Sequence, residues 1–141
     1  MSLIFSVLIV GIFAGFSEEL FFRGAFQRLL SSGNMNCHAA IWLTAFVFSA
    51  THLQFYGFFP RMFLGAYFGY LLYWSRCLWV PVIVHITNNV LYIVGYRLTS
   101  GGNSDLNINN VGANNIALVL VSLVFTSLCL YCLYRMSFKK Q

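Results

Sequence analysis

The chain has 141 residues, of which 60% are hydrophobic, 18% aromatic and only 8% charged, with a formal net charge of +5. Soluble domains carry about 25% charged residues, so an ordinary soluble fold is excluded, and the sparse basic residues form no patch for nucleic acid. The expectation is all-α: a polytopic transmembrane helical bundle of about five helices, forming a single membrane domain over 1–141.

The first predicted helix covers about 2–31. It holds the most apolar run of the chain, Leu3 to Phe16, then Ser17, Glu18 and Glu19, then Leu20 to Phe22 and Arg23. At 1.5 Å per residue it would extend ~45 Å against a hydrocarbon core of ~30 Å, so it must tilt, protrude or break. Met1-Ser2 carries no basic leader, and the apolar run passes into the glutamates without a cleavage site, so no cleavable signal is expected. The abrupt start leaves room for helices upstream. Two of the three acidic residues lie here. A charge at the centre of a membrane helix costs roughly 2.5–3.5 kcal/mol, which makes the pair a functional-site expectation by default.

The second predicted helix covers about 39–54 and ends with His52. The third starts near Pro60, which suits a first helical turn, and runs to about 75. The fourth starts near Pro81, runs to about 96 and carries His85, Asn88 and Asn89. A stretch rich in Gly, Asn and Ser over 97–115 reads as a loop, and a fifth helix is expected over 115–135. Gly11-x-x-x-Gly15 and Gly65-x-x-x-Gly69 have the spacing of close helix packing. Cys129 and Cys132 are two residues apart within an apolar segment and read as small packing residues. His38 reads as a surface residue of the loop before the second helix.

The basic residues set an orientation. Arg135, Lys139 and Lys140 follow the fifth helix, so the C-terminus is predicted cytoplasmic. Alternation then places Arg28 and Arg76 inside, and Arg61 and Arg97 outside, with Arg23 intramembrane. By depth, His85 lies only ~8 Å into its helix and Glu18 ~20 Å from the inner end of its own. The first, second and fourth helices can meet at these residues only if the fourth starts deeper or tilts.

Few polar groups lie inside the helices: Glu18, Glu19 and Arg23 on the first, His52 on the second, and His85, Asn88 and Asn89 on the fourth. The economical inference is convergence on one buried polar site between these three helices. Glu19 and Arg23 are four apart and share a face, whereas Glu18 and Arg23 are about 140° apart. Arg23 can therefore neutralise Glu19 and leave Glu18 free as a general base. His85 shares a face with Asn89 and nearly as closely with Asn88, and spacing alone does not choose between the amides. An imidazole and a carboxamide aimed at one point suit a carbonyl that becomes an oxyanion.

Three motifs then stand in order. Glu18-Glu19-Leu-Phe-Phe-Arg23 fits EExxxR, Phe48-Ser-Ala-Thr-His52 fits FxxxH, and His85-Ile-Thr-Asn-Asn89 fits HxxxN. On these residues the chain resembles the CPBP family of intramembrane proteases, which includes CAAX prenyl endopeptidases and bacteriocin-processing or self-immunity proteins. The match spans about 16–94, a catalytic core to which 115–135 adds an extra helix. The resemblance implies a helical bundle with a membrane-embedded site open to the cytosolic side, and peptide-bond hydrolysis. It implies Glu18 as the activating base, His52 as a partner in holding the water, and His85 with Asn89 as stabilisers of the tetrahedral intermediate. Glu19 and Arg23 become supporting residues.

Two mechanisms fit the motif residues. In one, Glu18 deprotonates water without a metal. In the other, Glu18, His52 and His85 bind Zn²⁺, with water in the fourth position. The expected partners are the lipid bilayer and a peptide or protein substrate presented at the membrane, of CAAX or leader-peptide type. The alternative from another class is a non-proteolytic membrane scaffold or bacteriocin self-immunity protein of the same fold. A proton-coupled transporter would account for buried Glu and His but not for the His85/Asn89 pairing.

Overall fold

The structure is a computed structural model that describes residues 2–99, with side chains to 97. The described residues form four helices, α1 (Leu3–Ser32), α2 (Cys37–Ala50), α3 (Phe58–Ser75) and α4 (Trp79–Thr99), and no strand. The expected helix over 115–135, nearly all of the loop expected over 97–115, Cys129, Cys132 and the basic C-terminal residues lie outside the described residues.

Each boundary has a local cause. Ser2 caps α1 by accepting the Phe5 N–H, and Asn36 caps α2, its Oδ1 accepting the His38 N–H at 3.0 Å. At the end of α2 two side chains compete for one carbonyl: Thr51 Oγ1 donates to Phe48 O at 2.8 Å and His52 Nδ1 to the same oxygen at 2.9 Å. Leu53 then takes a left-handed φ of 52°. The helix therefore stops at Ala50. His52, expected on a helix running to 54, sits instead in the turn that follows α2.

The long first helix does not break; it widens. Over Val7–Ala14 and Leu20–Phe26 the backbone shifts to the wider π-type turn, as where the Gln27 N–H reaches Phe22 O. The stretch between them, Gly15–Glu19, is α-helical and carries both glutamates. The outward residues of α1, among them Ile4, Phe5, Leu8, Ile9, Phe13 and Phe21, are exposed. Leu3–Ser32 and Trp79–Arg97 are long and apolar enough to cross a membrane, so this exposed face suits lipid rather than water.

Glycines set the helix register. A Cβ on Gly24 would lie 3.3 Å from Leu78, one on Gly15 3.2 Å from Ile86, and one on Gly11 3.0 Å from Val90. As the α1 number falls the opposing number rises, so α4 runs antiparallel to α1. Leu78 lies level with Gly24, about eight residues or ~12 Å above the end of α1. The fourth helix thus starts deep. That offset removes the depth mismatch that the sequence poses for His85.

A second glycine pair lets α3 close on α2. A Cβ on Gly65 would meet Phe48 Cδ1 at 3.1 Å and Ala45 Cα at 3.3 Å; one on Gly69 would meet Ile41 Cγ2 at 2.8 Å and Gln27 Oε1 at 3.0 Å. Gly69→Ala is expected to destabilise the protein by about 1–3 kcal/mol through overpacking. Gly95→Ala, where a Cβ meets nothing within 4 Å, serves as the control. Thermal unfolding in detergent checks this: a fall for the first variant only is expected, and equal melting of both would refute the packing argument.

Candidate active site

Glu19 has no exposed surface and its Oε1 is shared by two donors. Arg23 Nη1 reaches it at 2.7 Å from one turn along α1, and His85 Nδ1 reaches it at 2.7 Å from α4. Arg23, also fully buried, spends its other terminal nitrogen on α3, with Nη2 donating to Gly65 O at 2.8 Å. Its guanidinium lies over the Phe48 ring at 4.8 Å and over Phe68 at 5.4 Å. A buried charge survives only when paired and hydrogen-bonded; here the carboxylate, the carbonyl and two aromatic faces share the task.

The pattern repeats one turn on. Gln27 Nε2 donates to Gly69 O at 3.3 Å, so Arg23 and Gln27 read Gly65 and Gly69 in matched steps of four. At Gly69 the absent side chain leaves the space that the Gln27 carboxamide occupies against the α3 backbone. The reading from sequence missed α3's part in this cluster, and it missed Gln27. The signal was present: Glu19, Arg23 and Gln27 are successively four apart on one face, as are Gly65 and Gly69.

Both nitrogens of His85 face carboxylates. Nδ1 donates to Glu19, and Nε2 lies 3.8 Å from Glu18 Oε2. The ring is 4% exposed and stacks on Phe68 at 4.6 Å between centroids, with the Phe48 edge at 6.1 Å. Glu18 differs from Glu19 in that its side chain is 28% exposed and its one ion-pair contact among the described residues is the long one to His85. One carboxylate fixes the imidazole; the other stands beside its free nitrogen with access to the outside.

The remaining expected residues stand further off. His52 packs against Phe48, ring centroids 5.1 Å apart, and no hydrogen bond or ion pair among the described residues joins it to Glu18. Its Nδ1 donates to Phe48 O, which leaves Nε2 as an acceptor in the neutral ring. Asn89 is half-buried against α1, Nδ2 donating to Val10 O at 3.3 Å, while Asn88 is exposed. Among the described residues no three His, Cys, Asp or Glu side chains gather around one point as metal ligands. Of the zinc set Glu18, His52 and His85, the first and last approach to 3.8 Å, and no contact among the described residues joins His52 to either. The donors as arranged do not fit a three-ligand zinc centre.

A family profile described as type II CAAX prenyl endopeptidase, Rce1-like, matches residues 1–91, which includes all of these residues. No curated protein and no solved structure matches the chain.

The two glutamates should part company in stability measurements. Glu19→Ala leaves Arg23 buried with one carbonyl for company and is expected to cost about 3–5 kcal/mol. Glu18→Gln removes no close partner and should leave the melting temperature nearly unchanged. Tryptophan fluorescence during thermal unfolding of both variants checks the contrast.

Proposed function

The chain belongs to the Rce1-like family of type II CAAX prenyl endopeptidases, and from that premise we propose an intramembrane endopeptidase that hydrolyses a membrane-presented peptide through water activated by Glu18. One observation carries the assignment: two carboxylates flank one imidazole, the buried one bonded at 2.7 Å and the partly exposed one at 3.8 Å. The buried one is committed to structure, and the exposed one has room beside it for a water.

The steps follow from these positions. Glu18 takes a proton from water as the oxygen attacks the scissile carbonyl carbon. The carbonyl oxygen becomes an oxyanion, and His85 Nε2–H with the Asn89 amide donates to it. With Nδ1 donating to Glu19, a proton on Nε2 makes this ring the imidazolium form. The tetrahedral intermediate then collapses, the C–N bond breaks, and Glu18 returns its proton to the leaving amine. His52, with Nε2 free to accept, steadies the attacking water. The Asn89 amide gives one N–H to Val10 O and has a second to offer the oxyanion, with the tightening common between free and substrate-bound sites.

The proposed substrate is a peptide of CAAX or leader-peptide type presented from the cytosolic side. Arg28 near the end of α1 and Arg76 after α3 support placing that end of the bundle in the cytosol. The proposed multi-pass topology then has the C-terminus on the same side.

Cleavage of a panel of membrane peptides by wild type and Glu18→Gln tests the reading. The variant should lose roughly 10²- to 10⁴-fold in rate while still inserting and remaining monodisperse in detergent. Full activity in Glu18→Gln refutes the assigned role. Stoichiometric zinc in purified wild type, lost in His52→Ala, would replace the metal-free mechanism.

A further inference from the structure

The last turns of α1, the start of α2 and the end of α3 enclose a cleft of about 500 Å³. Two guanidiniums line it, Arg28 from α1 and Arg76 from the residue that ends α3. Among the described residues neither side chain has a hydrogen-bond or ion-pair partner, and no carboxylate lines the cleft. Glu18 and Glu19 lie about ten residues back along α1, ~15 Å away by helical rise.

Arg76 is there at a conformational cost. It adopts the left-handed conformation, φ 54° and ψ 17°, at the helix-ending position where glycine is usual. A non-glycine residue held in that region is strained, and strain of this kind collects at functional sites. Gln27, 5% exposed, also lines the cleft, while its Oε1 is buried against Gly69. The wall thus combines two cations with no partner among the described residues and the neighbouring rings of Tyr73 and Trp74.

We propose that this cleft binds the phosphate headgroup of an anionic phospholipid of the phosphatidylglycerol type. The cleft opens at the end of a helix able to cross the membrane, where headgroups lie. Basic pockets between membrane helices suit anionic headgroups, and Trp and Tyr are enriched at that level. Arg28 and Arg76 pair with the phosphate. Exposed Leu29, next to Arg28, offers apolar surface for an acyl chain. Free phosphate shares the ionic part of this chemistry but not the apolar part. A peptide carboxylate would use the same cations, but the interfacial position and the exposed Leu29 beside Arg28 favour the lipid.

Native mass spectrometry of the full chain in detergent, with equal phosphatidylglycerol and phosphatidylcholine added, tests the proposal without any need for catalysis. Wild type should retain phosphatidylglycerol in preference. Arg28→Gln and Arg76→Gly should each weaken that preference about fivefold, the contribution of one cation near a charged surface. Arg76→Gly relieves the left-handed strain, so it should melt no lower than wild type, which separates lost binding from lost folding. Equal retention of both lipids, or a preference untouched by both substitutions, overturns the proposal. Displacement of the lipid by millimolar inorganic phosphate assigns the cleft to a free anion and overturns it too. So does displacement by a peptide with a free carboxyl terminus but not by its amidated form.

Discussion

A guanidinium with no exposed surface, inside a bundle that lipid surrounds, has few ways to exist. Arg23 meets that constraint with Glu19 from its own helix, Gly65 O from α3, and two aromatic faces. Each partner fixes something else. Glu19 is held where it can also take the His85 proton, which ties α4 to α1. The bond to Gly65 O ties α3 to α1 at a glycine that also lets α3 close on α2. Phe48, the ring under the guanidinium, is the α2 residue that touches both histidines. Four helices therefore register on one ion pair. Pairs of this kind are weak evidence for net stability but strong evidence for a specified arrangement, because removing one member strands the other in a low-dielectric interior.

Adjacent glutamates on one helix end up in different environments for a geometric reason. Successive residues on a helix point about 100° apart, so when Glu19 faces the buried cation Glu18 must face the flank. The imidazole of His85 is wide enough to touch both. A ring bonded at one nitrogen and open at the other is the arrangement by which acid–base sites hold a histidine in a single orientation. In the proposed mechanism Glu19 and Arg23 are accordingly positioning residues: Glu19 bonds the ring, Arg23 holds Glu19, and Glu18 faces the open side.

Much of this was legible in the sequence. A helical class followed from charge sparsity, and the Glu19–Arg23 pair followed from spacing. Where α4 lay was not legible, because depth counted from helix ends assumes that neighbouring helices start level. Gly11, Gly15 and Gly24 set a different offset, and glycine spacing alone does not name the helix it packs on. The role of α3 was hidden for a related reason: its contribution is a backbone carbonyl and aromatic rings, and neither stands out in a chain with 15 phenylalanines. The end of α2 was misjudged because the local competition of Thr51 and His52 for one carbonyl outweighs an apolar pattern that continues to Leu53.

That early stop has a consequence for catalysis. A helix of 14 residues is ~21 Å long, short of a ~30 Å hydrocarbon core. The turn after α2, carrying His52, then lies within the thickness of the membrane if Cys37 starts at its inner edge. Irregular backbone at that depth persists only where protein or water covers it. Part of the cover is internal: Ser49 Oγ donates to Phe58 O at 2.6 Å and Arg61 Nη2 to Gln54 Oε1 at 2.7 Å. The rest is left to water or to protein outside the described residues, and the proposed hydrolysis needs water at that same depth. In the proposed mechanism, an unwound segment that costs stability in lipid is thereby also a route for water to the reaction.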